Sequence, residues 1–327
     1  MFNNLPRVSL AHLPTPLEAM PRLTEALGGA RLFIKRDDQT GLATGGNKTR
    51  KLEFLLADAL TQEADTVITS GAVQSNHCRQ TAAAAARHGL GCVLILRGDE
   101  PERVTGNLLL DRLLGARTVF YGGGRVRDDV LAEVVESERA ASRTPYTIPG
   151  GGSAPLGAAA YALAMTELKT QMEAAGIERF DRIVFASSSG GTQAGMLAGA
   201  VLTRFHGQVL GISISDEAAW MKDNIARLAT GTMQLLGQPH TFAPDEVEVN
   251  ADYLGKGYAT VGHAEREAIK LFAQNEGVLL DPVYSGRAAA GLIDLMRRQV
   301  IRPEEQVLFW HTGGTPALFA YAGELTG

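Results

Sequence analysis

Cysteine is scarce in this chain, which has only Cys78 and Cys92 among its 327 residues. Two thiols cannot build a disulfide framework, so a reducing cytoplasm is the expected setting. Long apolar runs are missing too: none reaches the roughly 20 residues that a membrane-spanning helix needs. The opening MFNNLPRVSLAHLPTPLEAM has no charged segment followed by an apolar stretch, so no secretory signal is expected. Excess charge of one sign is also lacking. Lys plus Arg is 31 against 36 Asp plus Glu, a formal net charge of −5. That balance offers no footprint for nucleic acid and no polybasic patch for an anionic membrane. Metal-ligand spacing is absent as well. His77 and His88 stand eleven apart on one expected helix, about 16 Å, too far to share an ion. The cysteines lack C-x-x-C companions, so no zinc site is expected.

What is present is a globular composition, 45% hydrophobic, with 37 glycines clustered in short loops. Short Val/Ile/Leu/Phe runs predict strands at Arg31–Lys35, Thr66–Ser70, Cys92–Leu96, Thr118–Tyr121, Tyr146–Ile148, Arg182–Ala186, Val209–Ile214 and Gln306–Trp310. Helical patterns fill the intervals. One starts near Thr49 with Asn47 in the capping position, and another covers Ser75–His88. Others cover Arg125–Ser142, Leu156–Ala175, Thr192–Arg204, Ala218–Leu236, Gly262–Asn275, Gly286–Gln299 and Pro316–Tyr321. Strand–helix alternation at this rhythm predicts an α/β fold with parallel sheet flanked by helices. No fixed-period repeat or long linker interrupts it.

Three segments carry chemical promise. In Gly45-Gly46-Asn47-Lys48-Thr49-Arg50-Lys51 a glycine pair delivers the chain to a helix start with a lysine in its first turn. The positive end of a helix depresses an amine's pKa, which favours the neutral nucleophile of Schiff-base chemistry. Arg50 and Lys51 read as the solvated basic side of that start. Ser187-Ser188-Ser189-Gly190-Gly191-Thr192 follows a strand and opens a helix. Either its amides, hydroxyls and helix dipole converge on one anion, a small phosphate and the favoured reading, or it is a tight strand–helix turn whose glycines serve packing only. It lacks both the Lys-Ser/Thr of a triphosphate loop and G-x-G-x-x-G. Gln74-Ser75-Asn76 stands at a strand's carboxyl end, where open α/β sheets bind ligands. Ser75 and Asn76 serve equally well as plain helix caps. Tyr284 follows another strand-like run and reads as an acid/base group, a substrate wall or a structural tyrosine. Trp220 and Trp310 read as core residues first and as pocket-shaping residues second. The residues alone leave open a nucleotide-binding α/β protein or dehydrogenase.

Read together, five segments in order resemble one family. They are Thr15-Pro16-Leu17 with Ile34-Lys35-Arg36-Asp37-Asp38, then Gly45–Glu53, Gln74–His77, Asp281-Pro282-Val283-Tyr284 and His311-Thr312-Gly313-Gly314. The family comprises D-cysteine desulfhydrase, L-cysteate sulfo-lyase and 1-aminocyclopropane-1-carboxylate deaminase, all pyridoxal-phosphate enzymes. The resemblance implies a two-domain, tryptophan-synthase-β-like architecture of fold type II. Residues 1–46 and 160–327 would form the large domain and 47–159 the small one, in a homodimer acting on a small amino acid. It implies that Lys48 holds the cofactor and that Ser188, Ser189, Gly190, Gly191 and Thr192 form its phosphate loop. Asn76 would lie beside the ring hydroxyl, and Ser75 would grip the substrate carboxylate and assist proton transfer, with Gln74 and Asn76 helping. Tyr284 and Tyr258 would be active-site tyrosines, and Thr312 and Ser285 would lie near the pyridine nitrogen. Ser285 stands where the cyclopropane-opening deaminases carry a glutamate. A hydroxyl cannot hold the ring proton by charge pairing, so the resemblance implies simple α,β-elimination. D-cysteine would give sulfide, pyruvate and ammonia; L-cysteate, which would lose sulfite, is the alternative, ahead of the cyclopropane substrate. A homologue without activity is the remaining possibility.

Overall fold

The computed structural model describes residues 2–326. In chain order the strands are β1 (Leu17–Ala19), β2 (Arg31–Arg36), β3 (Thr66–Ala72), β4 (Gly91–Arg97), β5 (Arg117–Tyr121), β6 (Pro145–Thr147), β7 (Arg182–Ser187), β8 (Gln208–Ser213), β9 (Val249–Asn250) and β10 (Gln306–His311). The helices are α1 (Pro21–Leu27), α2 (Lys48–Thr61), α3 (Asn76–Arg87), α4 (Gly106–Leu113), α5 (Arg127–Ala140), α6 (Pro155–Ala174), α7 (Gly191–Thr203), α8 (Ala218–Leu235), α9 (His263–Glu276), α10 (Ser285–Arg297) and α11 (Ala322–Thr326).

Two sheets result. The six-stranded sheet runs β1-β2-β10-β7-β8-β9 and the four-stranded sheet β5-β4-β3-β6. Apart from the antiparallel β1–β2 pair, the neighbouring strands are parallel. Parallel strands covered on both faces must be apolar on both faces, and the side chains sort accordingly. Along β10, Leu308 and Trp310 enter the core beneath α6, α7 and α8, whereas Val307 and Phe309 enter the core beneath α1, α9 and α10. In the four-stranded sheet, Val67, Cys92, Leu94 and Leu96 face α2, α3 and α4, while Ile68, Val93 and Ile95 face Val130 and Val134 of α5. All strands of this sheet fall within residues 47–159, although residue 159 itself lies inside the unbroken helix α6.

Several expectations need correction. Arg50 and Lys51 are not solvated: they are 3% and 0% exposed. The Arg50 guanidinium bonds Asp37 at 2.8 Å and Glu167 at 2.9 Å, and Tyr161 and Lys35 complete that buried network. A buried arginine persists only because its charge is paired. Asn47 precedes α2 with helical dihedrals and makes no side-chain cap. Trp310 is core, but Trp220 is 53% exposed. The segment expected as a helix at Pro316–Tyr321 is a tighter 3-10 turn at Thr315–Ala320.

Candidate active site

The carboxyl ends of both parallel sheets open on one cavity of about 850 Å³. Ser70, Gly71 and Ala72 come from the end of β3, Arg97 from β4 and Tyr121 from β5. From the other sheet come Ala186 and Ser187 at the end of β7, Ser215 and Asp216 beyond β8, and Thr312 beyond β10. Such an edge leaves strand-end and helix-start groups free to face a ligand. A second cavity of about 430 Å³, floored by Met165, Leu168 and Phe180, lies elsewhere and shares none of these residues.

Lys48, first residue of α2, lines the larger cavity. Burial pulls its pKa down to about 8, and interaction with Lys51 pulls it partly back. The leading cause is desolvation by burial. Lys51, three residues on, is held well below the usual lysine range by burial and by the Lys48 charge. Its Nζ donates to Gly151 O at 3.1 Å. Only the fold reveals this second amine, because nothing local distinguishes Lys51 from a surface lysine.

Opposite stands the turn after β7. Ser188, Ser189, Gly190 and Thr192 all line the cavity. Gly190 has φ +82°, a conformation disfavoured for residues with a Cβ, and it opens α7. Ser153 Oγ donates to Ser189 Oγ at 2.7 Å and accepts the Gly191 N–H at 3.2 Å. Serine and threonine hydroxyls and the start of α7 thus meet on one side of the cavity, a setting that favours an anion. Gly191 itself is not on the wall.

Ser75 caps α3, its Oγ accepting the Cys78 N–H at 3.2 Å. The cap uses a lone pair, so the hydroxyl proton remains available to the cavity, which Ser75, Asn76 and His77 all line. Tyr258 and Tyr284 also line it, their hydroxyls 2.6 Å apart. Burial raises the pKa of both phenols, so both are neutral donors at physiological pH. Besides Gly191, two further positions are not brought to the wall. Gln74 is turned to α4, donating to Thr105 O at 3.0 Å and accepting from Asn107 N at 2.8 Å. Ser285 is 1% exposed, and its Oγ donates to Asp281 Oδ1 at 2.6 Å and accepts from Asp281 N at 2.8 Å. Arg97 and Arg127, which sequence reasoning did not single out, do line the cavity.

An amine with a lowered pKa, facing a hydroxyl-rich anion cradle between two parallel sheets, suits an aldehyde cofactor carrying a phosphate. The volume accommodates it together with a small substrate. The family model described as "Pyridoxal-phosphate dependent enzyme" matches residues 8–313, and the chain belongs to that family. It is 42% identical over 325 residues to D-cysteine desulfhydrase of Klebsiella pneumoniae (strain 342), covering 98% of this chain and 97% of that one. It is 41% identical over 327 residues to a Pyrococcus abyssi protein provisionally named 1-aminocyclopropane-1-carboxylate deaminase, covering 99% and 96%. A crystal structure described as an ACC deaminase homologue superposes with TM-score 0.90 at 38% identity, covering 99% of this chain and 96% of that one. Threonine deaminase isoform 2 of Solanum lycopersicum shares the fold alone, with TM-score 0.67 at 17% identity, covering 97% and 83%. The architecture is thus fold type II and the cofactor pyridoxal phosphate. The nucleotide-binding reading is set aside.

Proposed function

We propose that Lys48 carries pyridoxal phosphate and that the enzyme eliminates the β-substituent of a small amino acid, with D-cysteine as substrate. The carrying observation is the Lys48 amine, its pKa lowered to about 8, on the same cavity as the Ser188–Thr192 cradle. The D-cysteine desulfhydrase name of relatives 42% identical supports the substrate. The equal similarity to a deaminase-named relative makes a direct assay necessary.

Ser188, Ser189, Gly190 and Thr192 would hold the phosphate, and Lys48 the aldehyde carbon. When bound, the cofactor supplies an electron-withdrawing ring that acidifies the substrate's Cα–H. Ser75 would donate its free hydroxyl proton to the substrate carboxylate. Lys48, freed by the substrate amine, would take the Cα proton. The electron pair left at Cα would form a Cα=Cβ double bond as the β-carbon–sulfur bond breaks with its own pair on sulfur. Within the Tyr258–Tyr284 pair one hydroxyl donates to the other, leaving a second proton for the departing thiolate. Ser285 would offer the ring no negative charge, its proton being engaged by Asp281, which supports simple elimination over cyclopropane opening. Residues 47–159 would form the smaller domain, and the enzyme would act in the cytoplasm as a homodimer.

A second substrate reading rests on Arg97 and Arg127 in the cavity wall. A guanidinium is a natural partner for a sulfonate, so L-cysteate is the alternative. Pyruvate release should be measured with both cysteine enantiomers and L-cysteate, and 2-oxobutanoate release with the cyclopropane substrate. Preferential turnover of D-cysteine supports the first reading. L-cysteate turnover whose KM rises at least about tenfold in Arg97→Gln, a change near 1.4 kcal/mol, supports the second. Efficient 2-oxobutanoate release overturns both, and release from no compound marks a homologue without activity.

A further inference from the structure

We infer that Arg79 and Asn107 are positioning residues that lock the Asn76 amide with its NH2 toward the cavity, so that Asn76 acts only as a donor to a ring oxygen of the cofactor. This rests on the cofactor-bearing role proposed for Lys48. Asn76 is the first residue of α3 and lines the cavity, while Arg79 and Asn107 behind it are each 0% exposed. Arg79 Nη1 donates to Asn76 Oδ1 at 3.1 Å and to Asn107 Oδ1 at 2.6 Å. Asn107 Nδ2 donates to the same Asn76 oxygen at 2.9 Å and to Gln74 O at 2.9 Å.

The polarity follows from one fact: a guanidinium has donors and no acceptor. Whichever Asn76 atom faces Arg79 must be its oxygen, and the same holds for Asn107. The Asn107 nitrogen is then directed to Asn76 and Gln74, where both partners are oxygens. Both lone pairs of the Asn76 oxygen are thereby occupied. Its Nδ2 has no acceptor among the described residues and is left for the cavity. Burial lowers the Arg79 pKa to about 10, so the group remains cationic at neutral pH. A charged donor on the amide oxygen polarises the amide and strengthens its N–H bonds as donors. Arg79 Nη2 also donates to Gly45 O at 2.6 Å, which couples this clamp to the turn leading into Lys48. Gln74 thus acts from behind the wall, through Asn107.

A donor directed at an oxyanion on the ring stabilises the form in which the lysine–cofactor linkage has lost its proton. The clamp therefore lowers the pKa of the visible absorbance band. The holoenzyme should be titrated spectroscopically, with cofactor retention followed by dialysis and folding by Tm. In Arg79→Gln the band's pKa should rise by about one unit and the cofactor should bind about tenfold more weakly, as for a lost charge-assisted bond. Arg79→Lys, which keeps a cationic donor, should recover part of the shift. Asn107→Asp retains the acceptor for Arg79 but replaces the donor to Asn76 with a carboxylate that attracts its NH2. It also forfeits the bond to Gln74 O, so Tm should fall modestly while the protein remains folded and the band still shifts upward. A role in packing alone would lower Tm and leave the band's pKa unmoved. Bands titrating at the parental pH in Arg79→Gln or Asn107→Asp overturn the inference, as does an unfolded Asn107→Asp. A parent enzyme with no visible band would instead refute the Lys48 role on which the inference rests.

Discussion

Asn47 Nδ2 donates to Thr192 Oγ1 at 3.1 Å, joining the residue before Lys48 to the first turn of α7. The bond ties the amine-bearing turn to the anion cradle across a sequence separation of 145 residues. A buried hydrogen bond of this kind contributes about 1 kcal/mol. Asn47→Ala should therefore weaken cofactor binding about fivefold, measured by absorbance titration of the apoprotein. An unchanged dissociation constant would mean that the two turns hold their spacing without it.

With its pKa near 8, about a tenth of the Lys48 amine is neutral at pH 7, against well under a thousandth for an ordinary lysine. Recombination of apoprotein with pyridoxal phosphate should accelerate with pH and level off above about pH 8. Stopped-flow absorbance gives the profile. Continued acceleration toward pH 10 would contradict the desolvated amine.

Arg50 neutralises Asp37, whose carboxyl it holds at about 2 despite full burial. Arg50→Ala removes the main partner of that carboxylate, leaving only Lys35 and the Tyr161 and Thr15 hydroxyls, and should cost about 3 kcal/mol in urea unfolding. Because folding depresses the Asp37 pKa, the stability linked to it is present above the ordinary value of 3.8 and lost as pH falls through about 2. Acid unfolding of Arg50→Ala should begin at higher pH than in the parent. Coincident acid transitions would rule this account out.

Asp111 is the opposite case. It is 0% exposed and neither carboxyl oxygen has a hydrogen-bond partner among the described residues, and burial raises its pKa to about 8 with Arg79 opposing the shift. The folded protein binds this proton more tightly than the unfolded chain, so stability declines as pH climbs from the ordinary 3.8 toward about 8. Asp111→Asn should flatten the decline and raise Tm at pH 8. Calorimetry across pH 5–8 tests it, and a parallel pH dependence in both proteins would refute it.

Local patterns made much of the fold legible. Each expected strand lies within one or two residues of an observed one, because strands buried on both faces declare themselves as short apolar runs. The elements not foreseen are short: β1, β9, α1, α4 and α11. Three residues at β1 or two at β9 carry too little periodicity to read, and α4 opens on a glycine with φ +59° and has no side-chain cap. The candidate cavity was legible where a motif sits at a helix start, as for Lys48, Ser75, Asn76 and the Ser188–Gly190 turn. It was not legible where the direction of a side chain decides. Gln74 adjoins Ser75 and Ser285 adjoins Tyr284, yet their polar atoms are engaged by Asn107 and Asp281 behind the wall.

By itself the sequence determined the alternation of elements, the amine at a helix start and the glycine that opens α7, because each depends on neighbours a few residues away. Tertiary structure decided that Arg50 and Lys51 are buried, that Arg97 and Arg127 reach the cavity, and that Arg79 orients Asn76. Those outcomes depend on burial and on which acceptor lies opposite each donor. Both arise only when two sheets, formed from separate stretches of chain, bring their carboxyl ends to one cavity.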